Sequence, residues 1–465
     1  MSSISQNSYK NNRTMKSILI FINRFGVVNI LKKSNFYKEK GISIRDMLIY
    51  LIQLVYTGKT MNMNFTLDSN APNFKKDVIY RFLNSTHINW EKFLLFLSST
   101  IIRNSIEKLT SEDRLNAIVI DDSFYGRTRS KTVELLSNVF DHASKGAKFK
   151  RGFRMLTAGW TDGNSFIPLA FSLQSSEKKK NRYTEMNPNL NKNSNGYKRR
   201  KKAITKSTDV MIDMLETIVK QGVSAKHVLF DSWFAYPATI IKISVIKLHT
   251  IARLKKTKNI KYIFEDELKT LNQIYKSKRK RPGRSKYLLS VLVKIKNPKG
   301  DILDAKIVFV RDRNNKKNWI AIISTDLKLT AEDVISMYGK RWSIEVFFKM
   351  CKSYLNLSKE FQGISYDSMV SHTSIVMVRY MILSVENREN KDIRSIGELF
   401  FRTCDELQDI TFSESLSIIL EAFIETLQDM LFLTLNQIND LMEVFISKLP
   451  KYLIGKLPNS ESLLV

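Results

Sequence analysis

Cysteine is almost absent from this chain of 465 residues, in which only Cys351 and Cys404 occur. Two cysteines cannot build the disulfide framework of a small secreted domain or the thiolate ligand set of a structural zinc site. A reducing cytoplasm fits this composition. The length is ample for a buried core and predicts two to four domains.

Long hydrophobic runs are also lacking. The apolar run at 18–22 is ended by Asn23 and Arg24, which makes it too short for the core of a signal peptide. Elsewhere no uncharged stretch reaches the length that spans a bilayer. We therefore expect a soluble intracellular protein with no membrane partner.

Acidic residues are few relative to basic ones. Lysine and arginine total 75, whereas aspartate and glutamate total 45, so the formal net charge is +30. An excess of this size, spread along most of the chain, favours a polyanionic partner. Nucleic acid is favoured over a merely solubilising surface, and an anionic membrane surface is the third alternative.

Hydrophobic periodicity divides the chain into an α/β core with helical regions on both sides. Within the core, the lysine- and asparagine-rich segment 177–206 is predicted to be a basic loop. The helix that follows the insertion is predicted to run from 331 to 353 without a break. The predicted segments are a helical N-terminal domain (1–112), the first part of the core (113–250), a β-rich insertion (251–327), the second part of the core (328–385) and a helical C-terminal region (386–465).

Acidic residues follow two apolar strand patterns, at the positions where open α/β sheets collect ligands. Asp121 and Asp122 end the pattern NAIVIDDSF, Asp231 ends HVLFDSWF, and Glu345 lies in a helical segment. Three convergent carboxylates can hold two Mg²⁺ ions for chemistry on a phosphodiester. Taken singly, the aspartates are also typical turn residues, and the glutamate is typical of an ion pair on a solvated helix face.

The segment around that glutamate, MYGKRWSIEVFFKMCKSYL, carries four functional side chains at helical spacing. The last three are offset from the first by three, seven and fourteen positions, which places all four on nearly one helix face. These residues are Tyr338, Arg341, Glu345 and Lys352.

Together these motifs resemble those of the bacterial DDE transposases of the insertion-sequence-4 type. The family signature is Tyr, two residues, Arg, three residues, Glu, six residues, Lys, and the four residues match it at every spacing. VIDDS is similar to the first-acid motif through Asp121, and VLFDSW is similar to the second through Asp231. The resemblance covers about residues 115–385 and implies an RNase H-like catalytic core interrupted by the β-rich insertion.

The resemblance implies that Asp121, Asp231 and Glu345 are catalytic and bind two Mg²⁺ ions, for which Mn²⁺ can substitute. Neighbouring residues of a strand point to opposite faces, so one of Asp121 and Asp122 is expected to bind metal, and Asp122 stays the alternative.

The resemblance also assigns DNA contacts. It implies that Tyr338, Arg341 and Lys352 bind phosphates beside the scissile bond, and that Trp319 stacks on a base flipped out of the duplex. A tryptophan packed in the core is the alternative for Trp319. Trp160 and Trp233 match no family position and are assigned a structural role.

The function implied is that of an insertion-sequence transposase in the bacterial cytoplasm, associated with the nucleoid. Such an enzyme cuts double-stranded DNA at terminal inverted repeats and joins the freed 3′ ends to target DNA. The N-terminal helices are expected to recognise the repeats, and the C-terminal helices to pair two protomers as a homodimer. The alternatives are a metal-dependent nuclease without strand transfer and a domesticated DNA-binding protein without catalysis.

Overall fold

The computed structural model describes residues 13–38, 40–67, 72, 74–110, 114–141, 149–282, 285–312, 315, 318–360, 363–389, 398 and 435–448. Most of the predicted C-terminal region at 386–465, together with Cys404, lies outside the described residues. The prediction that this region pairs protomers therefore stays a prediction. Cys351 is buried and is not in a disulfide.

Helices make up most of the described N-terminal residues. Two of them begin with side-chain caps: the Ser43 hydroxyl accepts a hydrogen bond from the Asp46 amide (3.1 Å), and Asn89 Oδ1 accepts one from the Lys92 amide (3.0 Å). The helices described here are α1 (Arg13–Arg24), α2 (Val27–Lys33), α3 (Ile44–Gln53), α4 (Met61–Leu67), α5 (Lys76–Leu83) and α6 (Trp90–Ile101).

Eleven strands of the described residues form one mixed sheet in the order β2-β3-β1-β5-β6-β11-β10-β9-β7-β8, with β4 paired to β3. The central strand β1 is antiparallel to β3 and parallel to β5, which is in turn parallel to β6. The strands are β1 (Ala117–Gly126), β2 (Ser137–Phe140), β3 (Phe149–Thr161), β4 (Phe166–Gln174), β5 (His227–Phe230), β6 (His249–Arg253), β7 (Tyr262–Phe264), β8 (Glu267–Lys269), β9 (Leu289–Lys296), β10 (Ile302–Arg311) and β11 (Trp319–Ser324).

The strands of the predicted insertion continue this sheet. β11 is antiparallel to β6, with Ile322 opposite Arg253 and Ser324 opposite Ile251. Because the two strands run in opposite directions, the first residue of β11, Trp319, lies toward the carboxyl end of β6. The insertion therefore reaches the sheet edge at which β5 and β6 end.

The remaining described helices pack around the sheet. α12 packs on β1, and α13 packs between β4 and the N-terminal helices α3, α5 and α6. α13 is, among the described helices, the one long and apolar enough to cross a bilayer, and its apolar stretch is wholly buried in the protein. These helices are α7 (Asn195–Ala203), α8 (Ser207–Lys220), α9 (Pro237–Val245), α10 (Leu271–Ser277), α11 (Ala331–Gly339), α12 (Trp342–Ser353), α13 (Tyr366–Glu389) and α14 (Leu435–Ser447).

The prediction that 177–206 is entirely loop was wrong, because α7 lies within it. The Ser194 hydroxyl caps this helix by accepting a hydrogen bond from the Tyr197 amide at 3.1 Å. The Arg200 side chain is 2% exposed, and its guanidinium forms ion pairs with Glu134 and Asp367, both at 2.6 Å. Partners distant in sequence thus let a highly charged segment fold as a helix with one buried face.

The unbroken helix predicted over 331–353 is two helices. α11 ends at Gly339 and α12 begins at Trp342. At the break, Lys340 Nζ donates hydrogen bonds to the carbonyl oxygens of Leu115 (2.5 Å) and Asp162 (3.4 Å). These contacts fasten the break to the sheet, so the start of α12 is held against the strands that carry the acidic residues.

Candidate active site

The two aspartates at the end of the first apolar run have different partners. Asp121 faces α12, and its Oδ2 lies 2.9 Å from Arg341 Nη1. Asp122 is on the opposite face of β1, where both carboxylate oxygens bind the Arg154 guanidinium, Oδ2 at 3.0 Å from Nε. Because Asp122 is held in a bidentate ion pair, Asp121 is the better candidate for a metal ligand or catalytic acid.

Asp231 lies opposite Asp121 in the register of the two parallel strands. In the parallel pair of β1 and β5, Ala117 lies opposite His227 and Val119 opposite Leu229, and continuing this register brings Asp231 opposite Asp121. Asp231 Oδ1 accepts a hydrogen bond from the Trp233 amide at 2.9 Å, a turn that ends the strand. β5 ends just before Asp231, whereas β1 continues past Asp121 to Gly126, so the prediction that Asp121 ends its strand was wrong. The two carboxylates nevertheless lie side by side in the parallel register.

Arg341 joins this pair to Glu345. One of its guanidinium nitrogens contacts Asp121, and the other contacts Glu345 one turn further along α12. The guanidinium also lies against the Tyr338 ring, 5.8 Å from its centroid. The first three residues of the helical stripe thus meet at Asp121, and Arg341 connects them.

Lys352, the fourth residue of the stripe, meets β1 further along the strand. Its ammonium donates a hydrogen bond to Ser123 Oγ at 2.5 Å, on the same face of β1 as Asp121. Burial lowers the pKa of Lys352, while the nearby Asp141 carboxylate opposes this shift. A partly buried ammonium beside the acidic residues suits an anionic substrate group.

The Asp121 carboxylate is in an unfavourable place for an isolated negative charge. Burial, with repulsion from Asp231 and Asp122, raises its pKa to about 7, although Arg341 and the Asp122 amide favour the charged form. Burial also raises the pKa of Tyr338, so its phenol stays protonated and able to donate a hydrogen bond.

The acidic residues suit a divalent cation in part. Among the described residues no three Asp, Glu, His or Cys side chains converge as a metal ligand set, and the Arg341 guanidinium lies between Glu345 and Asp121. Asp121 and Asp231 nevertheless provide hard oxygen donors from adjacent strands, the ligand type that Mg²⁺ and Mn²⁺ take. A cation beside them would relieve the repulsion that raises the pKa of Asp121.

Trp319 lies at the same sheet edge, but it is enclosed. Its side chain is 9% exposed, its ring stacks on Tyr275 with centroids 4.8 Å apart, and Lys256 Nζ lies 3.7 Å from its centroid. A base could stack on this ring only if Lys256 moved away. The role that the resemblance implies for Trp319 stays a prediction.

The other tryptophans near the site differ in burial. Trp160 is buried, in agreement with a structural role, and its Nε1 donates to the Ser224 carbonyl at 2.9 Å. Trp233 is 52% exposed two positions after Asp231, and the structural role predicted for it stays a prediction. Trp342, beside Arg341, is 64% exposed, and the sequence analysis did not consider it. Its position outside the apolar stripe of α12 would have indicated an exposed aromatic side chain near the site.

Comparison with known proteins defines the class of this chain. The chain belongs to the DDE superfamily endonuclease family, whose model matches residues 40–313, more than half of its length. This span contains Asp121 and Asp231 but ends before Glu345, so the family match alone does not assign the glutamate.

One curated protein matches a shorter part of the chain. The chain is similar to a "Probable transposase for insertion sequence element IS5377" of Geobacillus stearothermophilus, with 30% identity over 78 residues. This alignment covers 17% of the chain and 20% of the relative, so the chain matches about a fifth of that protein's length. Membership of a DDE family, which the motifs predict, is confirmed; the insertion-sequence-4 type stays a prediction.

Proposed function

We propose that this protein is an insertion-sequence transposase of the cut-and-paste, insertion-sequence-4 type. The observation that supports this most directly is the placement of Asp121 and Asp231 level on adjacent parallel strands, with Arg341 linking Asp121 to Glu345. Family membership and the similarity to a transposase agree with it. Its substrates are double-stranded DNA, at terminal inverted repeats and at a target site.

In this proposal Asp121, Asp231 and Glu345 hold two Mg²⁺ ions, with Mn²⁺ as a substitute. When bound, such ions supply an activated water and stabilise the leaving oxygen in an in-line phosphoryl transfer. Glu345 can join the aspartates only if Arg341 releases it, because the guanidinium contacts both carboxylates in this structure.

The basic and phenolic side chains around the acidic residues would hold the DNA backbone. Arg341, once released, can bind a phosphate with two parallel hydrogen bonds, and the protonated Tyr338 hydroxyl can donate a third. The Lys352 ammonium, with its burial and its bond to Ser123, places a positive charge beside the same acidic residues. These groups would fix the scissile phosphate against Asp121 and Asp231.

The arrangement of the chain supports matching roles for its other parts. The strand order β4-β3-β1-β5-β6, antiparallel and then parallel about β1, agrees with an RNase H-like core. We assign recognition of the terminal repeats to the N-terminal helices and homodimer formation to the C-terminal region. Cutting and joining would take place in the bacterial cytoplasm, at the nucleoid.

The test uses purified protein and a labelled duplex that carries the ends of its own element, with Mg²⁺ or with EDTA. We expect nicking at the element boundary and joining of the 3′ end to a second duplex, both lost in Asp231→Ala and Glu345→Ala while DNA binding is kept. Asp122→Ala is the matched control and should keep part of the cleavage activity.

Other outcomes would replace the proposal. Metal-dependent cleavage without joining would indicate a nuclease, which the endonuclease description of the family also fits. Salt-sensitive binding without cleavage in either Mg²⁺ or Mn²⁺ would indicate a DNA-binding protein that has lost catalysis.

A further inference from the structure

A stack of aromatic and cationic side chains occupies the insertion near the candidate active site. The Trp319 and Tyr275 rings are nearly parallel, 25° apart, with their centroids at 4.8 Å. Lys256 Nζ lies 3.7 Å from the Trp319 centroid, and Lys280 Nζ lies 4.6 Å from the Tyr275 centroid. Phe309 supports the Trp319 ring edge-on at 5.1 Å. Two ammonium groups are therefore held by a rigid pair of rings.

The stack is a poor place for a flipped base. An ammonium at 3.7 Å and a ring at 4.8 Å cannot share one face of the indole, so Lys256 and Tyr275 cover opposite faces of Trp319. The Asn318 side chain, which accepts a hydrogen bond from Lys256, holds the ammonium there. The aromatic pair is thus arranged to position lysines.

The surrounding segment is strongly basic. Residues 253–286 contain 13 lysines and arginines but only three acidic residues. Two of these acids already have lysine partners, because Glu265 pairs with Lys278 and Glu267 with Lys269. Burial lowers the pKa of Lys256 and Arg253 adds to this shift, whereas Asp312 opposes it. A bound anion would stabilise the charged form of Lys256.

Charge connects the stack to the candidate active site. Arg253, the last residue of β6, is near enough to influence the pKa of both Lys256 in the stack and Tyr338 beside Arg341. Arg253 also pairs with Ile322 of β11, so it places one positive charge at the sheet edge between the acidic residues and the stack. A DNA backbone bound at the active site would meet the stack if it followed this edge.

We propose that Lys256 and Lys280, held by the Trp319–Tyr275 ring pair, form a binding site for backbone phosphates of double-stranded DNA. Trp319 is then a positioning residue that holds Lys256, and it does not stack on a base. The inference rests on the proposed function in taking DNA as the polyanion, but it does not require cleavage.

The experiment measures binding of the full-length protein to a fluorescein-labelled duplex of random sequence in EDTA, by anisotropy over a series of salt concentrations. Lys256→Met and Lys280→Met keep the aliphatic stem and remove the charge. We expect each substitution to reduce the steepness of the plot of log association constant against log salt concentration by about 0.9. The ratio of wild-type to variant affinity then changes about eightfold for each tenfold change in salt concentration. Lys299→Met is the matched control, because Lys299 is exposed in the turn between β9 and β10, at the opposite sheet edge.

Substitutions of the ring separate positioning from stacking. Trp319→Phe keeps an aromatic face for Lys256 and should keep the slope, whereas Trp319→Leu should lower it as Lys256→Met does. A 2-aminopurine probe in the duplex reports base flipping and should respond equally to the wild type and to Lys256→Met. Equal slopes in Lys256→Met, Lys280→Met and Lys299→Met would overturn the proposal.

A base-stacking role would also be distinguishable. It predicts that Trp319→Leu weakens binding with an unchanged slope and abolishes the 2-aminopurine signal, and this result would overturn the positioning role. If the lysine variants lose slope but the wild type never cleaves with Mg²⁺ or Mn²⁺, the phosphate site stands and the transposase proposal fails. Cleavage with unchanged slopes would give the reverse conclusion.

Discussion

Removing the Asp121 carboxylate should make the metal-free protein more stable at neutral pH. Its pKa of about 7 compares with an ordinary value of 3.8, so folding disfavours the charged form by ~4 kcal/mol. Asparagine imitates the neutral carboxyl only in part, and we expect Asp121→Asn to raise the free energy of unfolding by about 1–2 kcal/mol at pH 8. The same change should abolish cleavage.

The sign of the pH dependence follows from the raised pKa. Below about pH 4 the carboxyl is protonated in both the folded and the unfolded state, so it costs the wild type nothing there. As the pH rises from about 4 to about 7 the unfolded state releases its proton first, and the wild type loses stability relative to Asp121→Asn. The advantage of the variant should therefore be small near pH 4 and complete above about pH 7.

The assay is urea unfolding at pH 4.5 and pH 8 in EDTA, and Asp122→Asn is the control. Asp122 is the next residue on the other face of β1, where it is held by Arg154, and its removal leaves that guanidinium without its carboxylate at a cost of about 2–4 kcal/mol. The unfolding midpoint should therefore rise for Asp121→Asn at pH 8 and fall for Asp122→Asn. A fall for both variants would refute the placement of Asp121 as a buried, repelled carboxylate.

Further predictions concern the metal and the core. At a concentration one hundred times its Kd, Mg²⁺ or Mn²⁺ should stabilise the wild type by about 2.7 kcal/mol in thermal unfolding, and an equal shift in Asp231→Asn would contradict the ligand assignment. Glu360 is 1% exposed and binds Arg379 at 2.9 Å, so Glu360→Gln should cost about 3–5 kcal/mol in urea unfolding, against almost none for the exposed Glu332→Gln. Gly159→Ala places a methyl group inside a phenylalanine ring of β4 and should lower the free energy of unfolding by about 1–3 kcal/mol or more. Gly339→Ala is the control, because its methyl group meets open space. Equal unfolding midpoints for the two variants would contradict this packing.

The positions of the two aspartates could be predicted because they depend on local patterns. Apolar runs ending in Asp121 and Asp231 predict buried strands, and strands that run parallel with this register place the two aspartates side by side. The sequence pattern does not show that β1 continues past Asp121 to Gly126. Which of Asp121 and Asp122 faces the site could not be predicted. Alternation places the two side chains on opposite faces of the strand, but it does not indicate which face packs against α12. The answer depends on Arg154 from the neighbouring strand β3, whose position opposite Phe124 follows only from the folded register.

The surroundings of the tryptophans were beyond prediction for a related reason. Trp319 is enclosed by Lys256 and Tyr275, which come from loops and helices earlier in the chain. Trp233 follows an apolar strand directly and so has the pattern of a core residue, but the turn at Asp231 takes it out of the sheet. Burial of a single aromatic residue depends on such distant contacts, and the periodicity of a short segment does not contain them.

The helical stripe shows why a prediction can place side chains correctly although its helix is broken. The backbone at the break stays right-handed helical, with φ −62° and ψ −21° at Lys340 and φ −54° and ψ −29° at Arg341. The turn per residue is therefore nearly preserved across the break, and Tyr338 still meets Arg341. What changes is the support, because Lys340 now bonds to the carbonyls of Leu115 and Asp162 on the sheet. The spacing of the four residues thus determines which side of the helix axis they share. The contacts of Lys340 with the sheet then place that side over Asp121.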